Sequence, residues 1–320
     1  MASFRCLFGR ELIVKGSDTL QPAYLRPPSW VAIRRAEHYG ADLSSMIYET
    51  LCEFEPPVRE KSVLLKPNFV ALDAAGAVDT SPALVGAARE AFLRFGARSV
   101  TVAEGSALER DSAAIAESLH LWDFMERTRD SFIDLNTDDV CRVALRSRAS
   151  SLREIYLPRT VLRSDFIVSM PKLKTHRWAG LSLSLKNMFG IVPGNCYGWP
   201  KNVLHWAGIS RAILDLNSTI RPDFAIVDGI VGMEGDGPLH GEAKPCGAVV
   251  MGDDPVAVDA TCARIAGFAP ERLDYLAHAG RLLGNLREED IRQIGETVES
   301  VRTPFTPPPR RHSSQALDVA

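Results

Sequence analysis

The hydrophobic positions fall into short, continuous apolar runs that alternate with longer segments of helical spacing. The runs "KSVLLKPNFV", "RSVTVAE" and "DFIVSMP" predict buried strands. The segments "DLSSMIYETLCEF" and "TSPALVGAAREAFLRFGA" predict helices, with Asp42 as an N-cap, Pro82 in a first turn and Gly96 as a stop. This alternation predicts an α/β fold, a mainly parallel sheet with helices on both faces.

The same pattern predicts one domain over residues 30–302. Residues 1–29 end within "RPPSW", residues 26–30, and predict an irregular lead-in. Residues 303–320, "TPFTPPPRRHSSQALDVA", are rich in Pro, Ser and Arg and predict a disordered tail. A division of the central domain into two lobes stays open.

Polar residues follow the carboxyl ends of five predicted strands. Ligands of open parallel sheets bind outside these ends, so the sequence predicts a shared crevice there. The candidates are Lys66 and Asn68, Glu104, the group Lys172, Lys174, Thr175 and His176, then Asp228 and Glu234, and finally Asp253 and Asp254. A single lysine at a strand end is more often a surface residue, and Asp254 before Pro255 is also typical of a helix N-cap.

The lysines shift this balance because Lys172, Lys174 and Lys186 lie close together in the chain. Like charges repel unless something compensates them. A bound carboxylate or phosphate would do so, and so would neighbouring Asp or Glu side chains. We therefore expect this segment to contact a small anionic ligand, with Asn187 suited to orienting a carboxylate or amide.

Catalytic roles are predicted for His176 as the acid–base group, for Lys174, and for Asp228 as a general base or metal ligand. One lysine could itself be the base or nucleophile, because burial beside other cations lowers its pKa. Substrate contacts are predicted for Lys66, Asn68, Lys172, Thr175, Lys186, Asn187, Gly235 and Gly237.

Gly235 and Gly237 belong to the glycine-rich segment "DGIVGMEGDGPLHG". Its backbone N–H groups could cradle an anion, although a surface turn is the alternative. The segment matches neither a P-loop nor a GxGxxG fingerprint. Glu234 and Asp254 are predicted ligands of a divalent metal such as Mg²⁺ or Mn²⁺.

Charge and composition narrow the function classes. The net charge of −3 and the pI near 6.2 disfavour general nucleic-acid binding. No apolar run is long enough for a bilayer, and charged residues interrupt the N-terminal apolar run, so we expect a cytoplasmic protein. Six scattered cysteines without CxxC spacing disfavour local zinc or iron–sulfur signatures, and we expect Cys196 and Cys246 to be inert thiols.

Five segments together resemble the DUF362 family, a domain of unknown function: "LLKPNFV", "DTSP", "DFIVSMPKLKTHRWAGLSLSLKNMFG", "IVDGIVGMEGDGP" and "GDDPVAVDA". The resemblance extends from about Val31 to Phe268. It implies an α/β domain with a shared site built from these segments, and it implies no reaction. Many relatives carry a ferredoxin-like cysteine module; no such cysteine run occurs in these 320 residues, so an iron–sulfur cluster is not expected.

We predict an enzyme that acts on a small carboxylate or phosphate, with proton transfer of the isomerase or lyase type and metal-assisted transfer both open. A non-catalytic binding or delivery protein for an anionic metabolite, metal or cofactor is the first alternative. A redox protein, by analogy with the iron–sulfur relatives, is the second. The substrate and the oligomeric state stay open.

Overall fold

The structure is a computed structural model. It describes the backbone of residues 3–6 and 11–13, and residues 26–71, 77–108, 111–128 and 131–309. Residues 310–320 of the predicted tail lie outside the described residues.

The described strands form a ten-stranded and a four-stranded sheet. They are β1 (Ser3–Cys6), β2 (Glu11–Ile13), β3 (Ser29–Arg35), β4 (Ser62–Lys66), β5 (Ser99–Glu104), β6 (Phe132–Asp134), β7 (Val140–Ala144), β8 (Glu154–Pro158), β9 (Phe166–Ser169), β10 (Lys172–His176), β11 (Gly180–Ser182), β12 (Phe224–Glu234), β13 (Glu242–Gly252) and β14 (Ile291–Gly295).

The large sheet has the order β14-β3-β13-β12-β9-β4-β5-β6, and the β10–β11 pair extends from β12. Its pairings are parallel except β12–β13, β13–β3 and β10–β11. The predicted α/β fold with a mainly parallel sheet is confirmed. The carboxyl ends of β3, β4, β5, β6, β9 and β12 therefore meet at one edge, whereas β13 ends at the opposite edge.

The helices are α1 (Leu43–Phe54), α2 (Pro82–Phe95), α3 (Ser112–Ser118), α4 (Arg159–Arg163), α5 (Ser184–Asn187), α6 (Gly194–Tyr197), α7 (Asn202–Trp206), α8 (Ile209–Thr219), α9 (Pro255–Ile265) and α10 (Asp274–Leu282). Their predicted ends are found. Asp42 accepts a hydrogen bond from the Ser45 N–H, and Gly96 ends α2 with a positive φ that glycine adopts without strain.

Two apolar clusters lie on the two faces of the large sheet. Val63 and Leu65 of β4 belong to the cluster that contains the buried faces of α1 and α2. Leu64, which points the other way, belongs to the cluster that contains residues of α8, α9 and α10. Side chains of a strand alternate between faces, so a continuous apolar strand requires helices on both sides.

Both ends of the described chain are more ordered than the sequence predicts. β1 and β2 join β7 and β8 in the small antiparallel sheet, where a lead-in without regular structure is predicted. Residues 303–309 follow the core in an extended path. The Phe305 N–H donates to the Ala266 carbonyl, and the Phe305 ring is buried against Gly232. The segment is Pro-rich, but its one large apolar side chain, Phe305, packs against the core and holds it there.

Candidate functional site

A group of lysines lies buried at the edge where the parallel strands end. The side chains of Lys66, Lys172, Lys174 and Lys201 are almost completely buried, and Lys186 is partly buried beside them. We call these five residues the lysine cluster. Burying an ammonium group is costly unless partners compensate the charge, so the partners of each lysine indicate its role.

Lys66 is fully satisfied by the protein. Its Nζ lies 2.7 Å from Glu104 Oε1 and donates to the Pro67 carbonyl and to Asn187 Oδ1. The amide Nδ2 of Asn187 donates in turn to the Lys66 carbonyl and to Ser169 Oγ. Three donors of one ammonium are thereby used, so Lys66 and Asn187 hold the ends of β4 and β9 together. The polar groups of Lys66 and Asn187 are all bonded to protein, so neither side chain keeps a free group for the predicted contact with substrate.

Lys172 forms a second buried ion pair. Its Nζ donates to Asp228 Oδ2 at 2.8 Å and to the Tyr39 hydroxyl at 2.9 Å. Asp228 also accepts hydrogen bonds from the Tyr39 hydroxyl and from the Ser81 and Ile230 N–H groups. Burial and this carboxylate raise the pKa of Tyr39. A carboxylate with this many donors fixes strands rather than abstracting a proton, so the predicted base role of Asp228 is not supported.

Lys174 and Lys201 are bound only by backbone carbonyls among the contacts of the described residues. Lys174 Nζ donates to the Val78 carbonyl, and Lys201 Nζ donates to the carbonyls of Gly105 and Gly190. Burial lowers the pKa of Lys174 to about 8, against the attraction of Asp79, and lowers that of Lys201 to about 7. Lys174 keeps two unused donors for a ligand.

Lys186 has no hydrogen bond or ion pair with another described residue. Its Nζ lies 4.2 Å from the centroid of the Phe189 ring, a cation–π contact. Burial, followed by the charges of Lys174 and Lys66, lowers its pKa to about 7. Four rings continue from this point: Phe189 contacts His205, His205 contacts Trp178, and Trp178 contacts His176. We call these four side chains the aromatic rim.

His176 is held as a neutral imidazole. Its Nδ1 accepts hydrogen bonds from the N–H groups of Trp178 and Ala179, so the ring hydrogen lies on Nε2. Burial and the charges of Lys186 and Lys174 lower the pKa of His176 well below its usual value. Nε2 is therefore a hydrogen-bond donor. The neutral ring supports only one part of the predicted acid–base role, the donation of a hydrogen bond from Nε2.

The glycine-rich segment is held by Thr175, whose Oγ1 donates to the Gly235 carbonyl. Thr175 thus binds protein and not substrate. A Cβ at Gly237 would lie 2.1 Å from the Thr175 carbonyl oxygen, whereas one at Gly235 would meet nothing within 4 Å. Gly237 serves close packing rather than ligand approach. Asn68 Oδ1 is buried and accepts no hydrogen bond from the described residues, so this predicted contact keeps a free acceptor.

The predicted metal ligands Glu234 and Asp254 lie apart, and pairing them was wrong. Glu234 ends β12, whereas Asp254 follows β13, which runs antiparallel to it. The two residues are therefore separated by the length of the β12–β13 ribbon, roughly 30 Å. Glu234 accepts from Lys244 and the Thr306 N–H, and Asp254 caps α9 and accepts from Ser29. Within the described ranges, no three His, Cys, Asp or Glu side chains gather as a metal site.

Asp259 of α9 positions the segment that carries Lys186. Its carboxylate accepts hydrogen bonds from the hydroxyl and N–H of Ser184 and from the Leu185 N–H, at the start of α5. Burial raises the pKa of Asp259 to about 7 against these hydrogen bonds. A four-residue helix has few contacts of its own, so this cap fixes the direction of the Lys186 side chain.

Several contributing residues escape sequence reasoning. Lys201 lies in a loop with no strand-end signal, and Tyr39 follows β3 in a turn. Trp178 and Phe189 lie in the segment that contains Lys172 and Lys186, and no sequence signal distinguishes them there from other apolar residues. Of the two cysteines singled out, Cys196 is exposed and Cys246 is buried, and burial raises the pKa of both thiols.

A known protein family and a known protein are similar to parts of this chain. A sequence model of the family described as "Domain of unknown function (DUF362)" matches residues 63–264. A thylakoid-associated protein of Synechocystis sp. is 29% identical over 142 residues, which are 42% of this chain and 42% of that protein. The match therefore spans less than half the length of that relative. Among the described residues, no helix combines the length and apolar character needed to cross a membrane.

Two solved structures are similar in fold. The lactate racemase apoprotein from Thermoanaerobacterium thermosaccharolyticum is 14% identical with a TM-score of 0.46, covering 83% of this chain and 62% of that chain. A structural-genomics protein from Thermotoga maritima is 15% identical with a TM-score of 0.35, covering 60% of this chain and 50% of that chain.

Proposed function

This chain belongs to the DUF362 family, a domain of unknown function, and from that premise we propose that it is an enzyme acting on a small carboxylate or phosphate. The substrate lies in the crevice at the carboxyl ends of the parallel strands, between Lys174, Lys186 and His176. One observation carries the proposal. Lys186 is a cation inside the lysine cluster with no partner among the described residues, beside a second lysine with two unused donors.

The remaining lysines support this division of labour. Lys66 and Lys172 are each paired with a buried carboxylate and would form the floor of the proposed crevice. A bound anion would compensate Lys174 and Lys186, whose pKa values are lowered mainly by burial. His176 would donate from Nε2 to an oxygen of the substrate, and Asn68 Oδ1 would accept from a substrate hydroxyl.

Proton transfer is the chemistry that this set of groups favours. Two amines with pKa values of about 8 and 7 can exchange a proton with the substrate near neutral pH, where the best acid–base groups titrate. A neutral imidazole donor stabilises negative charge that develops on a substrate oxygen. We therefore assign the reaction to proton transfer next to an anionic group.

The test is calorimetric titration of the full chain with sodium phosphate, propionate and pyruvate at pH 6.5 and constant ionic strength. We expect saturable binding of at least one anion, weakened at least tenfold in Lys174→Met and Lys186→Met with the fold retained. Lys61→Met, at the amino end of β4, is the matched control and keeps the affinity. No saturable binding by the wild type, or equal affinity in all variants, would overturn the proposal.

A second readout separates an enzyme from a binding protein. Proton NMR of the bound anion in D₂O follows exchange or conversion at carbon, which we expect to slow at least tenfold in His176→Ala. Undiminished affinity without any exchange or conversion would support a non-catalytic binding or delivery protein instead.

A further inference from the structure

Lys186 differs from the rest of the lysine cluster in what surrounds its nitrogen. The other four ammonium groups each donate a hydrogen bond of 2.9 Å or shorter to protein oxygen. Lys186 Nζ instead faces the Phe189 ring, and no described residue offers it an oxygen. An ammonium group that lies beside other cations and has no oxygen acceptor loses its proton more readily, and a neutral amine is a nucleophile.

The charged and titratable groups around Lys186 act in one direction. Lys174 of β10 and Lys66 of β4 repel the positive charge of Lys186. That charge in turn lowers the pKa of His176 in β10 and of His205 in α7. No described carboxylate contributes to the pKa of Lys186. Burial lowers the pKa of Lys186 to about 7, so near neutral pH a fraction of Lys186 is the neutral amine with an available electron pair.

Resting on the proposed function, we infer that Lys186 attacks the carbonyl carbon of a small 2-oxo acid whose carboxylate is bound by Lys174. Lys186 Nζ would then bond to the carbonyl carbon, and Lys174 Nζ would bind the adjacent carboxylate of the same substrate. Lys174 has two donors left for the carboxylate after its bond to the Val78 carbonyl. The aromatic rim begins at the Phe189 ring beside Lys186, and a substrate side chain would pack against it.

The chemistry balances without any oxidant or reductant. The Nζ electron pair forms a C–N bond, and the carbonyl π pair moves to oxygen, which takes a proton. The nitrogen loses one proton, giving a carbinolamine. Departure of the hydroxyl, protonated by the Lys174 ammonium, then releases one water and leaves an iminium. The His176 Nε2–H stabilises the oxygen while it carries negative charge.

An iminium gives the cluster a use for its proton-transfer groups. The positive nitrogen withdraws electrons from the neighbouring carbon and makes its hydrogen more acidic. The amine form of Lys174, left after it has given up a proton, can take that hydrogen. The substrate class that fits is a 2-oxo acid with at least one hydrogen on carbon 3.

The experiment traps the iminium by reduction. The full chain is incubated with pyruvate or phenylpyruvate and sodium cyanoborohydride at pH 7, and intact mass and peptide mapping locate the product. We expect one reduced adduct per chain on Lys186 with at least one acid. Lys186→Arg keeps the charge and should lose at least nine tenths of the labelling, whereas Lys61→Arg should label like the wild type.

Other outcomes are distinguishable. Saturable binding of these acids without an adduct on Lys186 overturns this inference and leaves the proposed function in place. Equal labelling of many lysines in the wild type and Lys186→Arg also overturns it. Absence of saturable binding by phosphate and by every acid tested overturns both the inference and the proposed function. Mapping the wild-type adduct gives the answer even if Lys186→Arg folds poorly.

Discussion

Lys66 and Lys186 belong to the same lysine cluster, yet their surroundings differ and favour two different roles. Lys66 has a carboxylate, an amide and a carbonyl within hydrogen-bond distance, whereas Lys186 has an aromatic ring. Burial lowers the pKa of both, but the charge of Glu104 opposes that shift only at Lys66. We therefore propose ligand binding for the lysine whose charge no described carboxylate compensates.

Glu104→Gln tests this distinction at the level of one residue. The substitution keeps the shape but removes the charge that balances Lys66, so unfolding free energy should fall by about 3–5 kcal/mol. Urea unfolding measures it. Glu154→Gln breaks the exposed pair with Arg142 and should change stability by less than about 0.5 kcal/mol. Wild-type stability in Glu104→Gln would show that the pair is not structural.

Sequence reasoning found the place of these residues but not their roles. The rule that ligands bind at the carboxyl ends of parallel strands groups Lys66, Lys172, Lys174 and His176, and the structure brings these residues to one edge of the sheet. Their contact with a ligand stays a prediction. Their partners come from other elements: Glu104 ends β5, and Tyr39 follows β3. Which lysine is saturated depends on three-dimensional contacts between distant segments, and a pattern along one segment does not contain them.

At the scale of elements, the short helix α5 carries the proposed nucleophile and depends on α9 for its position. Asp259 of α9 binds the N–H groups at the start of α5, and Asn217 of α8 donates to the Leu185 carbonyl within it. The two longer helices thus hold both polar ends of a single turn. The direction of Lys186 is set from outside its own element.

Asp259→Ala should therefore reduce both stability and anion affinity. Loss of the cap is expected to cost about 1–3 kcal/mol, since it leaves buried N–H groups without an acceptor. Affinity for the anion identified by titration should fall at least tenfold because Lys186 moves. Urea unfolding and calorimetry measure the two effects. Asp254→Ala is the matched control: it also removes a helix cap, but at the opposite edge of the sheet, so affinity should persist. Equal loss of affinity in both variants would contradict the assignment.

The direction of β13 differs from the prediction, because β13 runs antiparallel to both of its neighbours. Strand–helix alternation predicts that Asp253 and Asp254 follow a parallel strand, but only residues 235–241 connect β12 to β13. Parallel neighbours need a crossover of a dozen or more residues, so this short connection requires an antiparallel pair. The first half of the glycine-rich segment therefore belongs to β12, and residues 235–241 connect the two strands of an antiparallel pair. The short length of this connection already indicated the antiparallel pairing.

For the whole molecule, the lysine cluster is a charge burden that folding must overcome. Burial lowers the pKa of Lys174 to about 8 and that of Lys186 and Lys201 to about 7, from 10.5. Below about pH 7 these lysines are protonated in both states, and the folded state carries the full cost. Between about pH 7 and 10.5 the unfolded state holds more protons, so these groups make stability rise with pH.

The difference between the wild type and Lys186→Met isolates this effect from other titrating groups. We expect Lys186→Met to be more stable than the wild type at pH 6.5, and this advantage to shrink as the pH rises to 9.5. Urea unfolding at a series of pH values gives the curve. Lys61→Met should differ from the wild type by a constant amount. A constant difference for Lys186→Met would show that its ammonium is not penalised by burial.

The position of β3 in the sheet has a consequence for synthesis. Both of its partners, β13 and β14, come later in the chain, and β13 follows by roughly 200 residues. At about 5–20 residues per second, the nascent chain waits on the order of 10–40 s before β3 can pair. Throughout that time, Val31, Ala32 and Ile33, which are completely buried in the finished protein, lack the two strands that flank β3 in the sheet. We expect this apolar strand to be accessible to chaperones during translation.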